Sequence, residues 1–192
     1  MKYKKKIIGL GAISAALLLA ACSTNVNNEG TSSESASMSD MENHDMDEMV
    51  HDDSGEIPEG LEKAENSTFS VGDAVIIQQG HMDGMEGAEA TVVGAFETYA
   101  YEISYDPTNG DPRVENHKWI VQEEILDAGS EPFDPGEEVT VEAKHMEGME
   151  GATAIIDSVE ETTVYMIDYK PTTGGETIKN HKWVTEEEIK AE

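Results

Sequence analysis

The octapeptide His81-Met82-Asp83-Gly84-Met85-Glu86-Gly87-Ala88 returns 64 positions later as His145-Met146-Glu147-Gly148-Met149-Glu150-Gly151-Ala152. Asn116-His117-Lys118-Trp119 returns at the same offset as Asn180-His181-Lys182-Trp183. A fixed internal period of this length means that one small unit is built twice, so two small modules are expected in a chain of 192 residues rather than one large domain. We place the repeats at 67–128 and 131–192. Units of about 60 residues bury only about 60% of the surface their unfolded chains expose, so each is expected to be marginal by itself. Fewer than half of the aligned positions are identical between the copies. What persists is the four histidines, both methionines of each loop, the loop glycines and the pairs Tyr101/Tyr165 and Tyr105/Tyr169.

Within a repeat the apolar residues follow strand periodicity. Residues 74–77 predict a short strand, 88–96 and 99–105 a longer hairpin, 106–112 a loop dense in Pro, Asn, Asp and Gly, and 113–121 a returning strand. Residues 123–126 suit a single helical or 3₁₀ turn. Five short strands, a long first loop and no long helix predict a mainly β fold made of two tandem small SH3-like β-barrel modules. A small open sandwich is the alternative. The link between the repeats is short enough that the modules should touch.

The N-terminus is of another kind. Lys2, Lys4, Lys5 and Lys6 precede an apolar run over 7–19 that is shorter than the roughly 20 residues needed to span a bilayer, and Leu19-Ala20-Ala21 leads into the single cysteine, Cys22. Residues 1–21 therefore predict a lipoprotein signal peptide. The ending resembles the lipobox of bacterial lipoproteins, which implies that Cys22 is acylated, palmitate among its lipids, and anchors the mature chain on the extracellular face of the cell membrane of a Gram-positive bacterium. Membrane contact is expected through that lipid only. Residues 22–66 are polar and acidic with almost no aliphatic or aromatic residues, as expected of a disordered tether. A flexible coil of that length reaches about 35–40 Å.

With 12 Lys+Arg against 41 Asp+Glu the formal net charge is −29, and removal of the leader's lysines would make it more negative still. Such a polyanion is repelled by phosphate backbones, so nucleic-acid binding is excluded. No nucleophile elbow, phosphate loop or Cys-His pair is present, and a non-catalytic protein is expected.

The distribution of two residue types carries the chemistry. Of ten methionines, eight lie in three histidine-containing clusters, and all six histidines lie in those clusters or in the two Asn-His-Lys-Trp segments. Methionines that merely fill gaps in a core would be scattered through the strands. A His-Met-x-Gly-Met loop can fold back at its glycine and bring one imidazole and two thioethers together. Thioethers discriminate against Zn²⁺, Mg²⁺ and Ca²⁺ and favour Cu(I), with Ag(I) as a surrogate. The candidate ligands are His81, Met82 and Met85 in one loop and His145, Met146 and Met149 in the other. His117 and His181 are supplementary donors from the strands. Met38, Met41, His44, Met46, Met49 and His51 form a weaker cluster in the tether. The structural alternative has the loop methionines capping the core while His81 bonds a backbone carbonyl.

The tandem His-Met-x-Gly-Met-x-Gly-Ala, Tyr-x-Ile-x-Tyr-x-Pro-Thr and Asn-His-Lys-Trp motifs, the last followed by Glu-Glu-Ile, resemble the YdhK-like lipoprotein family of Gram-positive bacteria. Its CopL-type members accompany copper-export genes and bind copper at the cell surface, limiting its toxicity. The resemblance implies a lipid-anchored Cu(I)-binding protein that sequesters or buffers copper and so contributes to copper resistance, with a copper exporter as a candidate partner. The alternative is a non-catalytic module that binds cell wall or protein, its Met/His loops serving as structure.

Overall fold

The computed structural model describes residues 52–192. The expectations for the signal peptide, for Cys22 and for the tether cluster from Met38 to His51 lie outside the described residues. Among the described residues there is no α-helix. The strands are β1 (Glu62–Lys63), β2 (Ala74–Ile77), β3 (Glu89–Asp106), β4 (Val114–Val121), β5 (Glu138–Thr140), β6 (Thr153–Tyr169), β7 (Ile178–Thr185) and β8 (Ile189–Ala191), with 3₁₀ turns at Gln122–Glu124 and Glu186–Glu188. The mainly β class, the short strand at 74–77 and the single helical turn after each Asn-His-Lys-Trp strand are as expected.

The hairpin expected over 88–105 is not formed. Residues Glu89–Asp106 run as one strand of 18 residues, and Thr153–Tyr169 does the same in the second repeat. Nothing in Glu97-Thr98-Tyr99 supplies the Gly, Asn or Pro that a tight turn asks for, so the chain has no local reason to reverse. It pairs instead with the equivalent strand of the other copy. β3 and β6 are antiparallel over nearly their whole length, from Ala90 opposite Tyr169 to Asp106 opposite Thr153. Thr98 lies opposite Thr162, its own repeat equivalent, so the two copies are related by a local two-fold axis through that pair. The remaining strands hang on this ladder in one open eight-stranded sheet, with β4 on β3, β7 on β6, and β2 paired both to β3 and to β8 of the other repeat.

The shared ladder decides where apolar residues go. One core joins Val75, Ile77, Met85 and Val92 of the first repeat to Tyr165, Ile167, Tyr169 and Val184 of the second. Its counterpart joins Tyr101, Ile103, Tyr105 and Ile120 to Val139, Val141, Met149 and Ile156. A third cluster also draws on both repeats, with Phe96 and Trp119 from the first and Val164 and Trp183 from the second. Each core thus takes the front half of one repeat and the back half of the other, whereas a self-contained core per repeat was expected. Burial of a residue such as Ile103 or Ile167 contributes about 1.5–3 kcal/mol, and here that contribution exists only when both copies are present.

Candidate metal centre

Each His-Met-x-Gly-Met loop is a compact turn. In the first, the Met85 amide donates to Met82 O at 3.2 Å and the Ala88 amide to Met85 O at 2.9 Å; the second repeats this with Met149 to Met146 at 3.3 Å and Ala152 to Met149 at 3.0 Å. Gly84 and Gly148 both have φ +77 to +79°, where an L side chain is strained. A Cβ on Gly84 would lie 2.6 Å from Thr173 Oγ1, and one on Gly148 would lie 2.8 Å from Asn109. The crowding comes from the opposite copy, whose Pro-Thr turn pins the loop: the Thr172 amide donates to Gly84 O, and the Thr108 amide to Gly148 O, each at 2.9 Å.

The turn sends the two thioethers of each loop in different directions. Met85 and Met149 are fully buried in the two cores. Met82 and Met146, only partly buried, line a cavity of about 210 Å³ together with His81, His117, His145 and His181. All four histidines of the repeats therefore reach one place, with one thioether from each loop.

The strand histidines arrive by irregularity. Asn116 and Asn180, one residue before each, occupy the left-handed region at φ 55° and 49°, which Asn tolerates better than most residues. Their amides donate to side chains on the neighbouring strand, Asn116 N to Ser104 Oγ at 3.1 Å and Asn180 N to Asp168 Oδ1 at 2.9 Å. The ladder shifts register around His117 and His181, as at a bulge that re-aims a side chain. The following Lys118–Trp119 and Lys182–Trp183 peptides are cis.

Inside the cavity the histidines pair across the repeats. The rings of His81 and His181 are 6.4 Å apart between centroids and inclined at 42°; those of His117 and His145 are 6.4 Å apart and inclined at 43°. Tyr169 and Tyr105 stand edge-on to His181 and His117, and Trp119 and Trp183 edge-on to His81 and His145. Two buried acids complete the arrangement. Glu124 meets His145 Nε2 at 2.6 Å and takes the Trp183 indole N–H at 3.1 Å. Glu188 lies 3.1 Å from His81 Nε2, without straight hydrogen-bond alignment, and takes the Trp119 indole N–H at 2.9 Å. Burial pushes the Glu188 carboxyl up, but the neighbouring His81, the Thr185 amide and the Trp119 indole outweigh it and hold the group below the ordinary carboxylate value. The second ring nitrogens, Nδ1 of His81 and of His145, are buried without a hydrogen-bond partner.

The near-symmetry is broken on one side. Lys182, almost fully buried, donates to Asp52 at 2.9 Å, and both border a small void shared with His145 and His181. Burial works against the Asp52 charge, yet the Ser54 hydrogen bonds and the Lys182 ammonium prevail and hold its carboxyl at about 2. Lys118, the equivalent of Lys182, is more exposed, 3.8 Å from Glu102 and 4.6 Å over the Trp119 ring.

Chemically the cavity offers imidazole nitrogen and thioether sulfur. Among the described residues no three His, Cys, Asp or Glu side chains converge as a metal site, so a hard or borderline dication would find no ready oxygen-rich or three-imidazole cage. The donor set fits a soft ion of low coordination number, for which nitrogen-metal bonds near 2 Å place two imidazole rings about 6 Å apart between centroids. Glu124, Glu188, Thr108 and Thr172 were not singled out from sequence, although all four lie in the repeated Tyr-x-Ile-x-Tyr-x-Pro-Thr and Glu-Glu-Ile motifs. Their persistence in both copies was the available signal.

Two stretches, 71–122 and 135–186, match the family described as "Protein of unknown function (DUF1541)". The chain is 52% identical to the uncharacterized protein YdhK of Bacillus subtilis (strain 168) over 191 residues, covering 100% of this chain and 91% of that protein. A crystal structure of the B. subtilis DUF1541 protein superposes with a TM-score of 0.70 at 59% identity, covering 71% of this chain and 93% of the other. The solution structure of the ydhK C-terminal domain gives 0.61 at 62% identity, covering 64% and 93%.

Proposed function

From the premise that this chain belongs to the DUF1541 family, we propose that it is a non-catalytic, lipid-anchored protein that binds Cu(I) outside the cytoplasm and sequesters or buffers it at the cell surface. The observation that carries the reading is the collection of all four repeat histidines, with Met82 and Met146, around one cavity. His81 with His181, and His117 with His145, are the nitrogen pairs that would hold the ion, and Met82 and Met146 are the sulfur donors. Met85 and Met149 support the loops from the cores. Copper is the cargo and Ag(I) its redox-inert surrogate. Thioethers need no deprotonation, whereas imidazole competes with protons near its ordinary pKa of about 6.5, so retention should weaken in acid. Cys22 supplies the anchor, and a copper exporter in the same membrane is the natural recipient.

The test is a Cu(I) titration of the chain from Ser23 onward against a coloured chelator, with His81, His145, Met82 and Met146 replaced by Gln, Gln, Leu and Leu in the comparison protein. The parent should withdraw copper and the variant, folded by circular dichroism, should not. Absence of tight copper in the parent sinks the reading and favours a cell-wall or protein-binding module. Membrane association that survives Cys22→Ala would sink the anchor.

A further inference from the structure

The two acids behind the loop histidines are committed acceptors. Glu124 Oε2 takes the Trp183 indole N–H at 3.1 Å and the Val121 amide at 3.0 Å, while Oε1 faces His145 Nε2 at 2.6 Å. Glu188 puts all of its partners on one oxygen: Trp119 Nε1 at 2.9 Å, Thr185 N at 2.9 Å and His81 Nε2 at 3.1 Å lie against Oε2. An indole and a backbone amide can only donate, so these oxygens must accept. A carboxylate has lone pairs and no proton to give, so the imidazole nitrogen that meets it carries the hydrogen. In a neutral imidazole only one nitrogen does. The electron pair therefore falls to Nδ1, which in His145 is the one ring nitrogen buried without a hydrogen-bond partner; in His81 both ring nitrogens lack an aligned partner, and the 3.1 Å approach of Nε2 to Glu188 Oε2 is what places the hydrogen there. A buried acceptor that nothing ever occupies is destabilising, so Nδ1 is arranged for a partner.

We propose that Glu124 and Glu188 are positioning residues that hold His145 and His81, each across the repeat boundary, as Nε2–H tautomers, so that Nδ1 is the donor atom each loop histidine offers to a soft metal ion. The metal half of this statement rests on the function proposed above; the tautomer half does not. Each acid sits seven residues after the strand histidine of its own copy, yet serves the loop histidine of the other.

The two acids differ in a way that makes the idea sharp. In Glu124→Gln the amide oxygen must turn to Trp183 and Val121, which leaves the NH₂ group facing His145. Nε2 then has to accept, and the proton moves to Nδ1. In Glu188→Gln a single amide oxygen replaces Oε2 for all three donors, and His81 keeps its tautomer.

The experiment is long-range ¹H–¹⁵N correlation spectroscopy of the metal-free, ¹⁵N-histidine-labelled chain from Ser23 onward, which contains the whole fold described above. It is run at about pH 8 so that imidazoles of ordinary pKa are neutral, and His81→Gln and His145→Gln assign the resonances. Wild type should show Nδ1 bare and Nε2 protonated for both residues. Glu124→Gln should exchange the two for His145 alone, and Glu188→Gln should exchange neither. A protonated Nδ1 in wild type overturns the proposal without any variant having to fold. So does an unchanged His145 in a Glu124→Gln protein whose amide spectrum is that of the native sheet. Addition of Cu(I) should then perturb Nδ1 of both residues, and Glu124→Gln should weaken Cu(I) retention about 10- to 100-fold, against less than about threefold for Glu188→Gln. Ligation through Nε2 overturns the metal half. If no copper binds, the proposed function fails while the metal-free spectra still decide the tautomers.

Discussion

Replacing Met85 by alanine removes everything beyond Cβ from a side chain with no solvent exposure, packed among Val75, Ile77, Ala88, Tyr165 and Ile167. The loss combines the transfer free energy of the thioether arm with the cavity left behind, 2–5 kcal/mol for a buried Met. The wall of that cavity belongs to both repeats and to the long β3–β6 ladder, which resists collapse, so about 3 kcal/mol is the expected value. At roughly 2–4 °C per kcal/mol for a domain somewhat above 100 residues, the melting temperature should fall by about 6–12 °C. Met85→Leu keeps the volume and removes only the sulfur, and should cost less than about 1.5 kcal/mol. Met82 is only partly buried beside the same core, so Met82→Leu should move the melting temperature by no more than a few degrees. Copper should sort the positions in the opposite sense: Met85→Leu and Met149→Leu retain Cu(I) against the chelator, whereas Met82→Leu with Met146→Leu loses it. Thermal unfolding by circular dichroism and chelator competition on the same samples decide the matter. Copper lost in a folded Met85→Leu, Met149→Leu protein would refute the division of labour, and a Met85→Ala melting within 2 °C of the parent would refute the core placement.

Three further outcomes follow from the same geometry. Because each core takes half of its residues from each copy, residues 67–128 alone should not fold as a monomer; two copies can rebuild both cores by pairing their long strands about Thr98, so light scattering should report a dimer, and a folded monomer would contradict the shared cores. Gly84→Ala and Gly148→Ala place a Cβ at 2.6 and 2.8 Å from Thr173 and Asn109 at positive φ and should each destabilise by about 1–3 kcal/mol in urea unfolding; a neutral result at both would mean that the loops are not pinned by the opposite turns. Asp52, held at about 2 against an ordinary 3.8, has a folded-state pKa below its unfolded one, so its contribution is present above pH 4 and disappears as pH falls toward 2. Asp52→Asn should cost on the order of 1 kcal/mol at pH 7, after allowance for solvent at a partly exposed side chain, and the gap from the parent should close near pH 2; a gap that persists there would assign the loss to something other than the ion pair with Lys182.

The strand content, the repeat and the residues around the cavity were legible from the chain alone, for local reasons. Period-two alternation marks the strands, and a His-Met-x-Gly-Met turn that survives in both copies while most neighbours drift marks a constraint on those side chains. Other features depended on contacts between residues far apart in sequence. Two antiparallel copies of a strand with Thr98 facing Thr162 can pair across the copies as well as any hairpin within one, and alternation is the same for both arrangements. The absence of a turn residue in Glu97-Thr98-Tyr99 was the only local hint. Once that ladder forms, the rest is fixed by geometry: it carries each loop histidine to the strand histidine and the glutamate of the other repeat, and it turns Met85 and Met149 inward while Met82 and Met146 stay at the cavity. Which side chains are available as donors could be read along the chain, because donor chemistry belongs to the residue. Which of them meet could not, because proximity across the two-fold axis belongs to the packed pair of repeats and to neither copy alone.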